Sequence, residues 1–349
     1  RRNIVINGAM MVAQRGTSST DSGYGTVDRF KVSYSGTDES PTQAQVDVAS
    51  GTTPYTSGFR KALKITNGNQ TSGAGAADFI TYAYRVEAQD MANSGWNYTS
   101  TSSFITLSFW IKSSVAQSFG CFLRSHDGSQ LTFPFETGSL SADTWTKIVK
   151  TIPGNASMSF SNDNGTGLEI IIGGFWGTDY TTSDKTLDAW SAYANDSRLK
   201  DNTSTWYTTN DATLEITGLQ LEVGSQATAF EHRSIGEELA LCERYCLTIC
   251  KGQQYFGTCM LYNSLTHTAA MVWKTEMRTS PTMVANSGTN YYITYRNSGN
   301  SQYDSLSGTS TVSATGGGIY TANGSGTAGH AGAMAGQNSN TLVLLTAEL

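Results

Sequence analysis

Charge is scarce in this chain: Asp, Glu, Lys and Arg together make up 14% of its 349 residues. Lys and Arg number 22 against 28 acids, a formal net charge of −6, and no block of cations stands out. Binding to nucleic acid through counterion release needs clustered cations, so DNA and RNA are not expected partners. Long apolar runs are missing as well. Runs such as Ile170–Ile172 and Leu342–Leu345 fall far short of the roughly 18 residues of a membrane helix and suit buried strands. Arg1-Arg2 ahead of Ile4–Ala13 imitates a secretory signal only faintly, because Asn7 and Gly8 interrupt it. The five cysteines (Cys121, Cys242, Cys246, Cys250 and Cys259) are odd in number in a long chain. A disulfide framework is therefore not expected, and reduced thiols acting as small apolar groups are. Helix formers are sparse outside 234–250, and no repeat of fixed period points to a solenoid.

What the chain does have is glycine and aromatic mass: 36 Gly, 17 Tyr, 13 Phe and 7 Trp. Disorder needs few hydrophobes and high net charge, and neither holds. The length favours two domains over one. Strands are expected at 3–16, 29–34, 44–48, 62–66, 79–86, 105–112, 119–125, 146–152, 168–173 and 213–223, where apolar residues alternate between turn residues. Asp127-Gly128 and Asn164-Gly165 are hairpin-type turn dipeptides. Ala88–Asn93 reads as a short helical turn. Strands at this spacing make an all-β fold, a jelly-roll β-sandwich over 1–232. The polar stretch 178–211 is long for a connection, which marks it as functional or packed by its own side chains.

A capping box at Ser234 and Glu237 then starts a helix. The spacing of Leu239, Cys242, Cys246 and Ile249 predicts helix as far as Cys250, with those four side chains on one stripe. This linking helix (233–251) leads to a smaller C-terminal β domain (252–349), with strands expected at 255–262, 268–275, 291–296 and 341–346. Between Thr279 and Ala347 the only fully charged residues are Arg296 and Asp304. So uncharged a surface is unusual for a monomer. Burial against sister chains explains it, with the run Gly316–Gly336 either an extended loop or backbone packed against neighbouring subunits.

Several chemistries are weighed. Gly324, Gly326 and Gly329 fit GxGxxG by letter but lack the strand, helix and acid of a dinucleotide site. Cys242, Cys246 and Cys250 with His232 lack zinc-knuckle spacing. Glu136, Asp143, Glu169, Glu215 and Glu222 supply carboxylates, yet a glycosidase pair needs a defined separation across a cleft. Alternation puts Glu169 and Glu215 on the outer faces of their strands. Trp110 and Trp145 read as strand residues of the core. Sugar binding has the better basis: flat rings for the apolar face of a pyranose, with Asn, Asp and Gln for its hydroxyls. Trp176, Tyr180, Trp190, Tyr193, Trp206 and Tyr207 are the candidates.

The stretch Glu215–Tyr245 ("EITGLQLEVGSQATAFEHRSIGEELALCERY"), with "NIVINGAMMVAQRG" at Asn3–Gly16, "TVDRF" at Thr26–Phe30, "YRVEAQDM" at Tyr84–Met91 and "TLSFWIKSS" at Thr106–Ser114, resembles bacteriophage virion proteins of the tail-fibre type with a carbohydrate-binding-module-like domain. The blocks cover about the first 245 residues. The resemblance implies a non-enzymatic virion protein, assembled in the bacterial cytoplasm. It would be a homotrimeric tail fibre or appendage attaching to host surface polysaccharide, held by other virion proteins and not inserted in membrane. A capsid-decorating or head-fibre protein and a glycan depolymerase are the alternatives. The oligomer interface would use Leu239, Cys242, Cys246 and Ile249. Jelly rolls of this sort imply one cofactor at most, a structural calcium at a sheet edge, with Asp21, Asp28 and Glu222 as candidate ligands; no EF-hand spacing supports it.

Overall fold

Strands dominate the chain, and the computed structural model describes residues 2–297 and 299–349. The contacts divide it into two units, one running to Glu238 and including Leu349, the other Leu239–Glu348. The first unit is a jelly-roll sandwich of two six-stranded sheets. One sheet runs β1 (Ser18–Ser19), β3 (Thr42–Asp47), β4 (Lys61–Thr66), β14 (Thr213–Val223), β6 (Phe104–Ser113) and β9 (Thr146–Pro153). The other runs β12 (Ser191–Ala192), β8 (Leu131–Glu136), β7 (Gly120–Ser125), β10 (Thr166–Trp176), β5 (Phe79–Glu87) and β2 (Phe30–Ser35). Neighbours are antiparallel throughout both sheets. Below, they are the first and second sheets.

The core lies between them and follows the period of two. Ile80, Tyr82, Tyr84 and Val86 of β5 meet Leu168, Ile170 and Ile172 of β10, with Leu63, Ile105, Leu107, Leu214 and Ile216 from the first sheet. Burial of such side chains contributes about 1.5–3 kcal/mol each. Tyr82 is fully buried and donates its hydroxyl to the Leu214 carbonyl, crossing from sheet to sheet.

Three local expectations need correction. Residues 3–16 are not a strand: Asn7 and Met10 take left-handed φ values of 60° and 59°. The segment is instead tied down by buried asparagines, Asn7 Nδ2 donating to the Val12 and Asp28 carbonyls and Asn3 Nδ2 to that of Leu219. Sequence reasoning also missed β8, because Pro134 argues against a central strand; it is tolerated here one strand from the sheet edge. Asn164-Gly165 closes no hairpin, since β9 and β10 belong to different sheets. The short helix is there, as α2 (Ala88–Ala92), after the single turn α1 (Thr53–Thr56).

The capping box forms as the pattern demands: Glu237 N–H donates to Ser234 Oγ at 3.3 Å, and Ser234 N–H to Glu237 Oε2 at 2.9 Å. The helix it starts, α3 (Ile235–Glu243), stops seven residues short of Cys250. Cys246–Lys251 is strand β15, paired with Leu342–Thr346, which is β24. Leu239 and Cys242 are thus helical while Cys246 and Ile249 are in a strand, and the four share no stripe. Cys242 and Cys246 are fully buried within one copy of the chain, so these two present no surface to a second copy. All five cysteines are buried thiols.

The second unit pairs β15 and β24 with β18 (Thr282–Ala285). Its larger sheet runs β20 (Ser301–Tyr303), β19 (Tyr292–Tyr295), β23 (Ala331–Gly336), β16 (Tyr255–Leu261), β17 (His267–Val272), β22 (Gly316–Thr321) and β21 (Gly308–Ser310). Gly316–Gly336 is therefore no extended loop: its two ends are strands β22 and β23. The glycines serve close packing inside this chain, for a Cβ at Gly336 would lie 2.3 Å from the Gly252 carbonyl oxygen and one at Gly316 2.7 Å from that of Met271.

Candidate functional site

On the solvent side of the second sheet the same alternation brings up a different set of side chains. β2 presents Lys31 and Ser33; β5 presents Phe79, Thr81, Ala83 and Arg85; β7 presents Phe122 and Arg124; β10 presents Glu169 and Ile171. All of these line one groove of about 200 Å3. Register aligns them in rows. Lys31, Ala83, Ile171 and Phe122 form one, and Arg85, Glu169 and Arg124 the next. An antiparallel sheet that turns one face to water ordinarily presents polar side chains there; this face carries rings and guanidinium groups.

Trp176 reaches the groove because β10 breaks its own period. Strict alternation from Ile171 and Gly173 would turn Phe175 outward and Trp176 into the core. A register shift between Gly173 and Phe175 inserts one residue, so Phe175 pairs with inward-facing Ile80 and Trp176 with outward-facing Phe79. The indole then lies over Gly173, where a Cβ would sit 2.1 Å from its nitrogen, so only glycine fits beneath it. Rings gather round it: Phe79 stacks at 5.8 Å between centroids, Phe122 tilts at 5.7 Å, and Tyr180 meets it edge-on at 5.7 Å.

The long connection after β10 forms one wall. It contains a 3-10 turn (Thr178–Tyr180) and a parallel pair, β11 (Thr181–Thr182) with β13 (Leu199–Lys200). From it, Tyr193, Asn195 and Arg198 reach the groove. The Arg198 guanidinium lies 4.6 Å from the centre of the Tyr180 ring and 5.4 Å from that of Trp176. It donates through Nη2 to Asn195 Oδ1 at 2.6 Å, and Tyr193 Oη donates to the same oxygen at 2.9 Å. Arg124 sits over Tyr193, 3.7 Å from the ring centre, and donates to Gln130 Oε1. Such cation–π contacts fix the wall from both sides.

Glu169 is the one carboxylate lining the groove, and it is engaged. Burial alone would raise its pKa, but the hydrogen bond from His126 Nε2 at 3.1 Å and the Arg85 charge, with Nε at 2.7 Å, hold it down at about 2. It is ionised throughout the ordinary pH range. Lys31, across Ala83 from this row, has its pKa lowered by burial and by repulsion from Arg85.

Of the six aromatic residues expected to meet sugar, Trp176, Tyr180 and Tyr193 come together here. Trp176, 8% exposed, is the floor, while the half-exposed rings of Tyr180, Tyr193 and Phe79 are its accessible faces. The other three are elsewhere. Trp206 and Tyr207 are core residues, 0% and 1% exposed: Trp206 donates to the Thr213 carbonyl, and Tyr207 stacks on Phe175 at 4.2 Å. Trp190 closes the gap between the sheets, donating to the Pro153 carbonyl of β9 while its ring meets Phe133 of β8 at 5.4 Å. Trp110, too, is not in the central core but half-buried on the outer side of the first sheet beside Trp145, which precedes β9. Lys31, Arg85, Arg124 and Arg198 were missed. Three of them stand at alternate strand positions opposite Glu169 or Ala83, a signal readable once the strands are paired.

The calcium candidates do not converge. Asp28 accepts from Gln14 N–H and Nε2, Glu222 from Gln220 and Thr228, and Asp21 from Ser19. Among the described residues no three His, Cys, Asp or Glu side chains are grouped to hold a metal ion. Two other hollows exist. One of about 370 Å3, lined by Arg2, Asp90 and Asn93, offers no ring. Another, of about 270 Å3 on the first sheet, is lined by Phe59, Trp110, Phe230 and His232. There Phe59 packs against Phe230 and His232, so its rings serve to anchor the segment that leads into α3.

No family model and no curated protein matches the chain. Among solved structures, it overlaps the enzymatically active domain of tailspike protein 4 of bacteriophage CBA120 at 10% identity and a TM-score of 0.33, over 64% of this chain and 21% of that one. The N-terminal cellulose-binding domain of Cellulomonas fimi β-1,4-glucanase C overlaps at 13% identity and a TM-score of 0.29, over 62% of this chain and 99% of that one. A family 11 carbohydrate-binding module of Clostridium thermocellum gives 12% and 0.27, over 62% and 98%. These overlaps are loose; the sandwich is defined by its own two sheets.

Proposed function

We propose that the chain is a phage virion protein, a tail fibre or appendage, whose sandwich binds host surface glycan in the groove over β2, β5, β7 and β10. The observation that carries the sugar reading is the meeting of Tyr180, Tyr193, Phe79 and Trp176 on the solvent side of a sheet, beside Asn195, Ser33 and Thr81. Rings take the apolar face of a pyranose, and the amide and hydroxyl groups take its hydroxyls. The virion assignment is supported by the sequence blocks from Asn3 to Tyr245.

Binding without hydrolysis is the favoured mode. A glycosidase needs two carboxylates across the scissile bond, whereas Glu169 alone lines this groove and is held by Arg85 and His126. Self-association, as a trimer, is assigned to the second unit. Among the described residues, seven of the eleven exposed large hydrophobic side chains belong to it, Tyr262, Leu265 and Val272 among them, the last 87% exposed. Several weak sugar sites held together bind a polymer far more tightly than one.

Glycan-array and cell-surface binding of the whole chain, with Tyr193→Ala alongside, tests this. Binding should fall by roughly tenfold or more, the scale of a lost stacking contact, while the melting temperature stays near that of the parent. Unaltered binding by a folded Tyr193→Ala protein removes the groove from the account.

A further inference from the structure

We infer that the groove selects acidic glycans, polymers whose sugar rings carry carboxylate groups. This rests on the reading of the groove as a glycan site and adds the charge of the ligand to it. Four cations, Lys31, Arg85, Arg124 and Arg198, line the hollow against the single anion Glu169, a local balance of 4 − 1 = +3. The chain as a whole carries −6. Cations gathered in this way on an acidic protein build a local field of opposite sign to the bulk.

The bonding already present sharpens the point. Glu169 is consumed by Arg85 and His126. Arg124 stands opposite Glu169 in register, yet turns away to stack on Tyr193, and its Nε–H has no acceptor. Lys31 has no hydrogen-bond or ion-pair partner among the described residues, and its ammonium is disfavoured by burial and by Arg85. Asn195, the groove's one amide, already accepts from Arg198 and Tyr193 through its carbonyl oxygen.

Donors therefore outnumber open acceptors. A neutral sugar brings hydroxyls that need both; a uronate or sialate carboxylate brings acceptors alone, and a planar carboxylate suits a guanidinium fixed flat on a ring. The acids of the flanking loop, Asp179, Asp184, Asp188, Asp196 and Asp201, are exposed and none lines the groove. Nucleic acid is the weaker partner for the same cations, because four in one short groove make no track along a phosphate backbone.

The test uses the whole chain in calorimetry and affinity electrophoresis with polygalacturonate, alginate, hyaluronan and polysialate. Each is paired with the same polymer after reduction of its carboxyl groups to alcohols. At least one acidic polymer is expected to bind roughly tenfold or more tighter than its reduced form, the worth of one charge-assisted contact. The difference should shrink in high salt and vanish in the double variant Lys31→Met/Arg124→Met, to which acidic and reduced polymers should bind alike. Tyr193→Ala should weaken both forms. Equal binding of acidic and reduced polymers overturns the inference and leaves the sugar site standing. No binding of either by the folded protein sinks the site itself. Single-stranded DNA binding as tightly as the best uronate, indifferent to Tyr193→Ala, means charge without sugar recognition and also overturns the inference.

Discussion

The two units solve the problem of an outward-facing sheet in opposite ways. On the second sheet of the sandwich, the outward positions of four strands carry rings and cations that hold one another: Arg124 on Tyr193, Arg198 on Tyr180, Arg85 on Glu169. In the second unit the outward positions carry almost no charge, and Met260, Tyr262 and Val272 stand open. A surface rich in ordered donors suits a polar, acceptor-bearing ligand. An apolar surface without donors fits another protein face. Composition at alternate strand positions, rather than sheet count or size, separates the two roles.

The largest expected effect tests where core ends and site begins. Trp206→Ala should destabilise the sandwich by about 3–5 kcal/mol, as loss of a buried indole does, read as a lower denaturation midpoint. A stable Trp206→Ala protein that loses sugar would return this residue to the site. Next comes Glu169→Gln. Its carboxyl pKa is depressed in the folded chain, so the stabilisation is fully present above the usual carboxylate value and is lost as pH falls from there towards about 2. At neutral pH the variant should be less stable by about 2–3 kcal/mol, and by urea unfolding the gap should narrow as pH falls below the usual carboxylate value and close only near about 2. A gap independent of pH would mean that Glu169 acts through shape alone.

The contrast between units was only partly open to sequence reading, for physical reasons. Period two and turn residues located nine strands of the sandwich and four of the second unit, and Ser234 with Glu237 located a helix start, because these signals are local. The end of that helix was misread. Leu239, Cys242, Cys246 and Ile249 fit the helical period, but Cys246–Lys251 is drawn into a ladder with Leu342–Thr346, nearly a hundred residues on. Trp176 faces the groove through one inserted residue, which no alternation count anticipates. Trp206 looks like Trp176 in sequence, yet Trp176 is turned outward by the irregularity in β10 while Trp206 is carried into the core on a turn. The arginines of the groove were individually unremarkable and gain meaning only from the register that lines them up.

A smaller effect probes the apolar face. Val272→Asp puts a charge on a side chain that is 87% exposed in the single chain, so folding should be unaltered within about 0.5 kcal/mol. If this face meets sister chains, burying that carboxylate should weaken self-association by roughly tenfold or more, seen in sedimentation as smaller species at equal concentration. An unchanged oligomer would move the interface to another surface of the second unit.

The smallest effect concerns α3, where surface chemistry acts without a core or a site behind it. Ser234 and Glu237 bond reciprocally, and both are exposed. The Ser234 hydrogen bonds lower the Glu237 pKa, so the cap is complete at neutral pH and weakens as pH falls through the carboxylate range. Ser234→Ala should leave sugar binding and self-association unchanged and speed exchange of the Glu237 and Glu238 amides several-fold, the scale of one lost cap. Local exchange is the right measurement because a frayed first turn opens without unfolding either unit. A variant that instead lowers the denaturation midpoint of the sandwich would make this turn part of the fold's support. Glu238 gives a route for that: its carboxylate accepts from Asn7 N–H at 3.0 Å and from Arg233 at 2.9 Å, which ties the first turn of the helix to the buried segment at the start of the chain.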